Sequence, residues 1–343
     1  MRPLFSLAGV AVLALLLSRV GWRDLLSSFQ RLGGSALIVL LGLGIVEHLI
    51  DCEASRRAML GRIGVAWTVA TTSAGVLANL VIPFEAGELL KLALLRRRST
   101  DTSVASGVVI WNYVWKLAKP LAIAGCFLLA LALGHVYPAA LWRPVLLGVA
   151  LSFGPYLALR FLLRHHPAER LMRVLAQIPR LGRRAQGWLA AASRLDCEIR
   201  DFGLNHRRAY LHVFALTLLG RFLGLATLFV MAAPLGLPTD LGSVAFVYAA
   251  QTVAEYLAML LPARVGLGEG TAYLVFTALG LPPTTALVVV LVLRARSVVV
   301  TGLPALWALA QRGAHKPSPA RPAPTAVSST AQAAIRPACR VSV

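Results

Sequence analysis

The sequence predicts an all-α, polytopic membrane protein, and three observations carry this prediction. Hydrophobic residues occupy 58% of the 343 positions, charged residues occupy only 14%, and the mean hydropathy is +0.73. Soluble domains contain about 25% charged residues, because a globule exposes much of its surface to water. The apolar residues also occur in runs of about 20, the length that a helix needs to cross the hydrocarbon core of a bilayer.

The basic residues lie mainly between the apolar runs and in the C-terminal tail, giving a formal net charge of +20. In a soluble protein such an excess suggests nucleic acid as the partner. In a membrane protein the same distribution is typical of cytoplasmic loops that face anionic headgroups. We therefore expect membrane lipids, and no nucleic acid, as partners.

The N-terminal half contains three uninterrupted apolar runs and one interrupted run. The uninterrupted runs, at about 3–20, 35–51 and 105–133, predict full spans, and the first is expected to be retained and not cleaved as a secretory signal. The run from 66 to 95 is broken at Pro83, which removes a backbone donor and ends a helix. Each limb is short for a crossing, so this run predicts a re-entrant helical hairpin.

The C-terminal half repeats this order. Runs at about 142–163, 210–232 and 284–310 predict spans, and a run at 239–281, broken at Pro262, predicts a second hairpin. Segment 165–208 is rich in arginine with apolar residues at helical spacing, which favours an amphipathic helix on the cytoplasmic surface. Residues 313–343 form a basic tail rich in proline and alanine, for which we predict disorder in the cytoplasm.

The two interrupted runs share a pattern that indicates an internal duplication. In the first run, Pro83 is followed after three residues by Gly87 and Glu88. In the second run, Pro262 is followed after three residues by Gly266, and Gly268 and Glu269 come two and three positions later. Each half then consists of two spans, a hairpin and a span, which gives about six full spans and two re-entrant hairpins in a transmembrane domain of residues 1–312. Three crossings reverse the starting side, so repeat two (about 140–312) is predicted to be inverted relative to repeat one (about 1–135), as in secondary transporters.

Charge placement agrees with this topology in part. The cluster at 96–98 and the segment 165–208 fall inside. Arg19, Arg23 and Arg31 lie in a loop that the same topology places outside, against the positive-inside rule.

These motifs give the chain a resemblance to a known family. The Pro83 segment, followed by Leu-Leu-Lys91 and a basic cluster, and the later segment from Pro262 to Glu269 are similar to the transmembrane region of the lysylphosphatidylglycerol synthase/flippase-like family. The likeness covers most of residues 1–312 and implies a multi-pass domain that moves or handles lipids in the bacterial plasma membrane. Family members can also carry a soluble aminoacyl-transferase domain, for which the tail leaves no room, so we do not expect aminoacyl transfer.

The resemblance implies a set of substrate-binding residues. The family motif corresponds to Pro83, Gly87, Glu88, Lys91, Pro262, Gly266, Gly268 and Glu269, and Arg294 stands where members often have an arginine. The chain departs from the family at Leu293, where members have a tyrosine, and at 111–116, where many have a Glu-Arg pair. These departures leave the identity of the lipid open.

Charges at membrane depth give a physical reason to examine the same residues. A charge at the centre of a spanning helix costs roughly 2.5–3.5 kcal/mol, which pairing or a wet cavity must offset. Glu88 and Lys91 lie one turn apart, and either pair locally or line a path for a headgroup. Glu269 either partners a helix dipole or contacts substrate. Arg221, between two glycines, either supports close packing or compensates a phosphate.

The last span contains two candidate phosphate binders, because a guanidinium offers a planar fork of donors. Arg294 and Arg296 are two positions apart, so we expect only one of them, Arg294, to face the groove. Glu47 and Glu255 are expected to pair with basic residues or, alternatively, to relay protons.

The leading prediction is the translocation of a lipid or lipid-linked amphiphile with a charged headgroup. Two alternatives stay open: an integral membrane enzyme that modifies a headgroup with a hairpin carboxylate as acid or base, and a partner of a lipid-modifying enzyme. The sequence contains no nucleotide-binding pattern in the required setting and no metal-ligand cluster, so no cofactor and no metal are expected.

Overall fold

The computed structural model describes residues 22–81, 86–97, 99, 102–134, 139–154, 156–157, 167–177, 182–258 and 267–311, and the regular elements in these segments are α-helices. The predicted first span and the C-terminal tail lie outside the described residues, as does Arg19. The helices are α1 (Trp22–Ala58), α2 (Val65–Val81), α3 (Ala86–Leu95), α4 (Thr102–Ala132), α5 (Ala139–Ser152), α6 (Pro167–Ala176), α7 (Gly182–Asn205), α8 (Arg207–Ala232), α9 (Leu241–Ala258), α10 (Leu267–Ala278) and α11 (Pro283–Ala310).

Four of the described helices are long and apolar enough to cross a membrane: Leu26–Ala58, Val104–Ala132, Arg207–Ala232 and Pro283–Ala310. Large apolar side chains cover their outer faces; Ile38 and Leu303, for example, are 73% and 79% exposed. A surface of this kind is stable only against hydrocarbon. The prediction of an all-α polytopic membrane protein is confirmed, whereas the number of spans stays a prediction.

Helix α1 extends beyond the predicted span at both ends. Its N-terminal part, from Trp22, joins the apolar part through a kink at Gly33, whose φ of 65° and ψ of 161° are not helical. At the other end, Arg56 and Arg57 belong to the last turn and pair with Glu53, each at 2.7 Å. Hydropathy predicts only the apolar part of a helix, whereas ion pairs within the helix stabilise its polar end.

Both interrupted runs form two helical limbs, as the sequence predicts. Helices α2 and α3 pack against each other, and so do α9 and α10. The breaks fall at 82–85 and 259–266, so Pro83, Pro262 and Gly266 lie outside the described residues. Whether each hairpin returns to its own side of the membrane stays a prediction.

The two halves of the chain pack reciprocally. Helix α2 lies against α11 of the other half, and its counterpart α9 lies against α4; α1 and α8 lie against each other. Helix α1 also contacts α11, and α8 correspondingly contacts α4. This exchange of partners supports the predicted duplication, while the inversion of the second unit stays a prediction.

Segment 165–208 contains two helices, α6 and α7, that pack against each other. The Glu169 amide donates to Asp196 Oδ2 at 3.0 Å, which caps the start of α6. Ser106 Oγ of α4 donates to Glu198 Oε2 at 3.0 Å and joins the pair to the bundle. The predicted amphipathic helix is therefore represented by two helices, and residues 178–181 between them lie outside the described residues.

The first hairpin is held by a very close approach of α2 and α3. A Cβ atom added to Gly87 would collide with the carbonyl oxygen of Gly75 and with Asn79, and the Gly87 amide donates to Asn79 Oδ1 at 2.8 Å. Any side chain at Gly87 would force the backbones of α2 and α3 apart. This glycine is thus required by packing at the hairpin.

We predict that Gly87→Ala lowers the apparent melting temperature of the detergent-solubilised protein by several degrees, because overpacking costs about 1–3 kcal/mol. The matched control is Gly125→Ala in α4, where an added Cβ meets nothing within 4 Å. Thermal unfolding followed by circular dichroism makes the comparison. Equal melting temperatures for the two variants would contradict the close approach of the limbs.

Candidate functional site

A cavity of about 440 Å³ lies inside the bundle, and we refer to it as the central cavity. Its wall is formed by parts of α1, α2, α3, α4, α8, α9 and α11. The described lining residues are Gly44, Glu47, His48, Asp51, Val76, Asn79, Leu80, Glu88, Trp111, Asn112, Trp115, Lys119, Arg221, Glu255, Val290, Leu293, Arg294, Arg296, Ser297, Val300 and Thr301. Four of them are acidic and four are Lys or Arg, so their formal charges cancel.

One wall of the central cavity is an ion-pair network that joins three helices. Arg296 of α11 donates to Glu47 of α1, with 2.8 Å between Nη2 and Oε2, and to the Thr227 hydroxyl of α8 at 2.9 Å. Arg221 of α8 donates to Asp51 of α1 at 2.8 Å, and its Nη2 lies 3.7 Å from Glu47 Oε1. All four charged side chains are less than one-fifth exposed. Their mutual pairing offsets the cost of burial at this depth.

Glycines make room for this network. A Cβ atom at Gly44 would lie 2.7 Å from Arg296 Cδ, so the bare backbone of α1 lets the arginine cross it. At Gly224 a Cβ would lie 2.7 Å from the hydroxyl of Tyr248, which donates to the carbonyl oxygen of Arg221 at 2.8 Å. The prediction that the glycines flanking Arg221 permit close helix packing agrees with this geometry.

A second ion pair joins the second hairpin to α11. Glu269, in the first turn of α10 and fully buried, lies 3.1 Å from Arg294, measured from Oε1 to Nη1, and a second contact of 3.1 Å joins Oε2 to Nη2. The Nη2–Oε2 contact is a hydrogen bond, and the Nη1–Oε1 contact is an ion pair without hydrogen-bond geometry. Two candidate site residues from the sequence are thus direct partners. Gly268 lies beside Glu269 in the same first turn.

The expectation that only one of the two arginines of α11 faces the groove is wrong. Arg294 and Arg296 both line the central cavity. Residues two apart do leave a helix in nearly opposite directions. The long side chains nevertheless reach around α11 from both flanks, Arg294 towards α10 and Arg296 towards α1 and α8. Spacing fixes the direction of Cβ, and it does not fix the position of a guanidinium several bonds away.

Lys91 lies behind the wall of the cavity and not on it. It is 1% exposed, its Nζ donates to Ser55 Oγ at 2.8 Å, and it lies 4.0 Å from the centroid of the Trp111 ring. Glu88, one turn earlier on α3, lines the cavity. Although the two residues lie one turn apart, Glu88 lies on the cavity wall, and Lys91 contacts α1 and α4 behind it.

Two tryptophan rings of α4 lie beside buried cationic groups. Trp115 lies with its ring centroid 5.2 Å from Lys119 Nζ and 5.6 Å from Arg221 Cζ, within the range of cation–π attraction. Trp111 lies between the cavity and Lys91. Both tryptophans come from the segment in which the sequence departs from the family pattern.

Sequence reasoning missed several lining residues. Asp51 and His48 are the most informative, because with Glu47 they form a group spaced by one, three and four along one apolar span. Such spacing places them on adjoining faces of a helix, which was the available signal. Glu47 pairs with arginines, as one of its two alternatives predicts, and Glu255 accepts from Gln251 Nε2 at 3.1 Å. In the described segments, His, Cys, Asp and Glu form no group of three or more that could hold a metal ion.

Comparison with known proteins gives one result. The family model described as the lysylphosphatidylglycerol synthase TM region matches residues 4–305. No curated protein and no solved structure matches the chain.

Two ion pairs of α1, the buried pair of Asp51 with Arg221 and the more exposed pairs of Glu53, should differ in their contribution to the free energy of unfolding. Replacing Asp51 with Asn or Arg221 with Gln should lower the free energy of unfolding by about 3–5 kcal/mol, because the remaining charge is left buried. The double variant should lose less than the sum of the single losses. Unfolding in mixed micelles with increasing sodium dodecyl sulfate measures these energies.

The control is Glu53→Gln on the same helix, whose carboxylate is 30% exposed and pairs with Arg56 and Arg57. An exposed pair contributes about 0–1 kcal/mol, so this variant should lose little. Additive losses at Asp51 and Arg221 would show that they do not form a pair.

Proposed function

Because the chain belongs to the family of the lysylphosphatidylglycerol synthase transmembrane region, and is a multi-pass membrane protein that acts on lipids, we propose that it translocates a phospholipid with a charged headgroup across the bacterial plasma membrane. The observation that carries the proposal is a charged cavity inside a bundle with an apolar outer surface. A headgroup needs a polar route through the bilayer, while its acyl chains can stay in hydrocarbon.

The size and lining of the central cavity suit a headgroup better than a whole lipid. Its volume of about 440 Å³ falls within the range of about 300–1,000 Å³ of ordinary ligand sites. Arg294 and Arg296 offer forks of donors to a phosphate, and Glu47, Asp51 and Glu88 offer acceptors to an ammonium or to hydroxyl groups. The acyl chains would extend between helices.

The ion pairs suggest how a charged headgroup enters the central cavity without leaving other charges unpaired. Each arginine of the wall already contacts a carboxylate: Arg296 contacts Glu47, Arg221 contacts Asp51, and Arg294 contacts Glu269. A phosphate that takes a guanidinium replaces one ion pair with another, so the arginine stays compensated throughout. The released carboxylate can then contact a cationic or hydroxyl group of the same headgroup.

Two broken helices near one cavity also fit translocation, because transporters place substrate between such elements. Glu88 and Glu269 each lie in the first turn that follows a break, and Glu269 joins its hairpin to α11 through Arg294. Exchange of that pair for a headgroup would remove the ionic contact between α10 and α11, which also pack through apolar residues. The hairpins would therefore respond to the presence of substrate.

Purified full-length protein in proteoliposomes tests the proposal. Fluorescent acyl-labelled phosphatidylglycerol, phosphatidylethanolamine and lysylphosphatidylglycerol cover anionic, zwitterionic and cationic headgroups, and reduction by external dithionite reports the outer leaflet. We expect at least one of the three to move faster than in protein-free liposomes, and Arg294→Gln and Glu269→Gln to slow it by tenfold or more, since about 1.4 kcal/mol of lost stabilisation slows a step tenfold. Rates equal to those of protein-free liposomes for all three lipids would reject the function.

A matched pair of glycine variants tests whether the position of Arg296 matters. Gly44→Ala should slow movement severalfold, because the added Cβ lies 2.7 Å from Arg296 Cδ and displaces the guanidinium. Gly42→Ala, two positions earlier on α1, meets nothing within 4 Å and should retain the wild-type rate. Equal rates for both variants would show that Arg296 need not hold its position.

A further inference from the structure

His48 is a titratable residue of the central cavity that lies outside the arginine–carboxylate pairs. His48 lies on α1 between Glu47 and Asp51 and lines the cavity. Its Nε2 atom lies 2.7 Å from the hydroxyl oxygen of Ser73 on α2, and Cys52 Sγ lies 3.5 Å from the same nitrogen. The ring therefore stands where the cavity meets the first hairpin.

The partner of His48 suits a ring that changes its protonation state. A serine hydroxyl can donate to a neutral ring nitrogen or accept from a protonated one, so Ser73 can satisfy both states by rotation. Ser73 is completely buried, so its hydroxyl is surrounded by protein atoms. Unperturbed imidazole titrates near physiological pH, and a neighbouring carboxylate favours its protonated form.

The polar and charged groups around His48 include both signs of charge. On α1 they are the two neighbouring carboxylates and the Cys52 thiol; α2 contributes hydroxyl and amide groups; and the other packed helices contribute acids and bases. The charged groups on those helices are Glu88 and Lys91 of α3, Lys119 of α4, Arg221 of α8, Glu255 of α9, and Arg294 and Arg296 of α11.

Binding of a phosphate changes this balance next to His48. When a phosphate takes Arg296 or Arg221, Glu47 or Asp51 loses its partner in a medium of low dielectric. His48 lies one turn from Asp51 on the same helix, so a protonated imidazole can compensate part of the uncovered negative charge. Headgroup binding then favours proton uptake, and by reciprocity protonation favours headgroup binding.

We infer that His48 is a proton-binding site that couples movement of the headgroup to movement of a proton. The inference rests on the proposed function and adds its energy source. In one cycle the ring takes a proton from water on the side where the headgroup enters and returns it to water on the side where the headgroup leaves. No bond other than N–H forms or breaks, and no further reactant is required.

Steady-state leaflet asymmetry measures this coupling. Proteoliposomes with fluorescent phosphatidylglycerol are given a gradient of one pH unit, with the membrane potential clamped by potassium and valinomycin. For one proton per lipid, such a gradient supports up to about a tenfold difference between leaflets, because one pH unit corresponds to about 1.4 kcal/mol. We expect an asymmetry of several fold for the wild type, and collapse to an even distribution when nigericin removes the gradient.

His48→Gln should abolish the asymmetry, because glutamine can contact Ser73 but does not titrate. The control is His212→Gln on α8, a histidine exposed on the bundle and absent from the cavity wall, which should keep the wild-type asymmetry. An even distribution for the wild type, or an undiminished asymmetry in His48→Gln, would overturn the inference.

A binding measurement separates failure of this inference from failure of the proposed function. Calorimetric titration of solubilised phosphatidylglycerol into the full-length protein, in two buffers with different ionisation enthalpies, counts the protons taken up on binding. Wild-type protein should take up a proton that His48→Gln does not. Equal proton counts would reject proton binding at His48 even if the lipid moves. If the lipid binds with proton uptake at His48 and does not move, the translocation proposal fails and the proton site stands.

Discussion

The structure depends on pairs of opposite charges inside a helical bundle whose outer surface is apolar. Arg296 and Arg221 would each be strongly unfavourable without a counter-ion at that depth. Their partners, Glu47 and Asp51, lie one turn apart on α1, so α8 and α11 must both lie beside the same stretch of that helix. The glycines at 44, 220 and 224 allow this approach. One electrostatic requirement thus fixes three helices and leaves a polar cavity where they meet.

The same requirement links the cavity to the broken helices. The second hairpin starts α10 with a buried carboxylate that pairs with Arg294 of α11. The first hairpin starts α3 with Glu88 on the cavity wall and places Lys91 against α1 and α4. Both hairpins therefore contact the bundle through charged side chains in addition to apolar packing, and a competing charged group can exchange the charged contacts. Apolar packing alone would offer no such response to a headgroup.

Hydropathy predicts the membrane fold, and the prolines predict the two interruptions, because both features follow from local chemistry. The partners of individual charges were not predictable, because pairing between α1, α8 and α11 depends on helix positions that one sequence does not specify. Hydropathy marks Asp51 only as the end of a span, although its spacing of four from Glu47 places both carboxylates on one side of the helix. The error over Arg294 and Arg296 came from treating the direction of Cβ as the direction of a long side chain. The motif residues Pro83, Pro262 and Gly266 fall in the breaks, outside the described residues.

The central claim is that a lipid headgroup occupies the central cavity. Photo-crosslinking tests it most directly: the protein is reconstituted in nanodiscs with a phospholipid whose headgroup carries a diazirine, irradiated, and mapped by peptide mass spectrometry. A headgroup in the cavity should give adducts on cavity residues of α1 and α11, such as His48 and Ser297. Adducts confined to helix ends and to outward-facing positions such as Leu303, with none in the cavity, would contradict it.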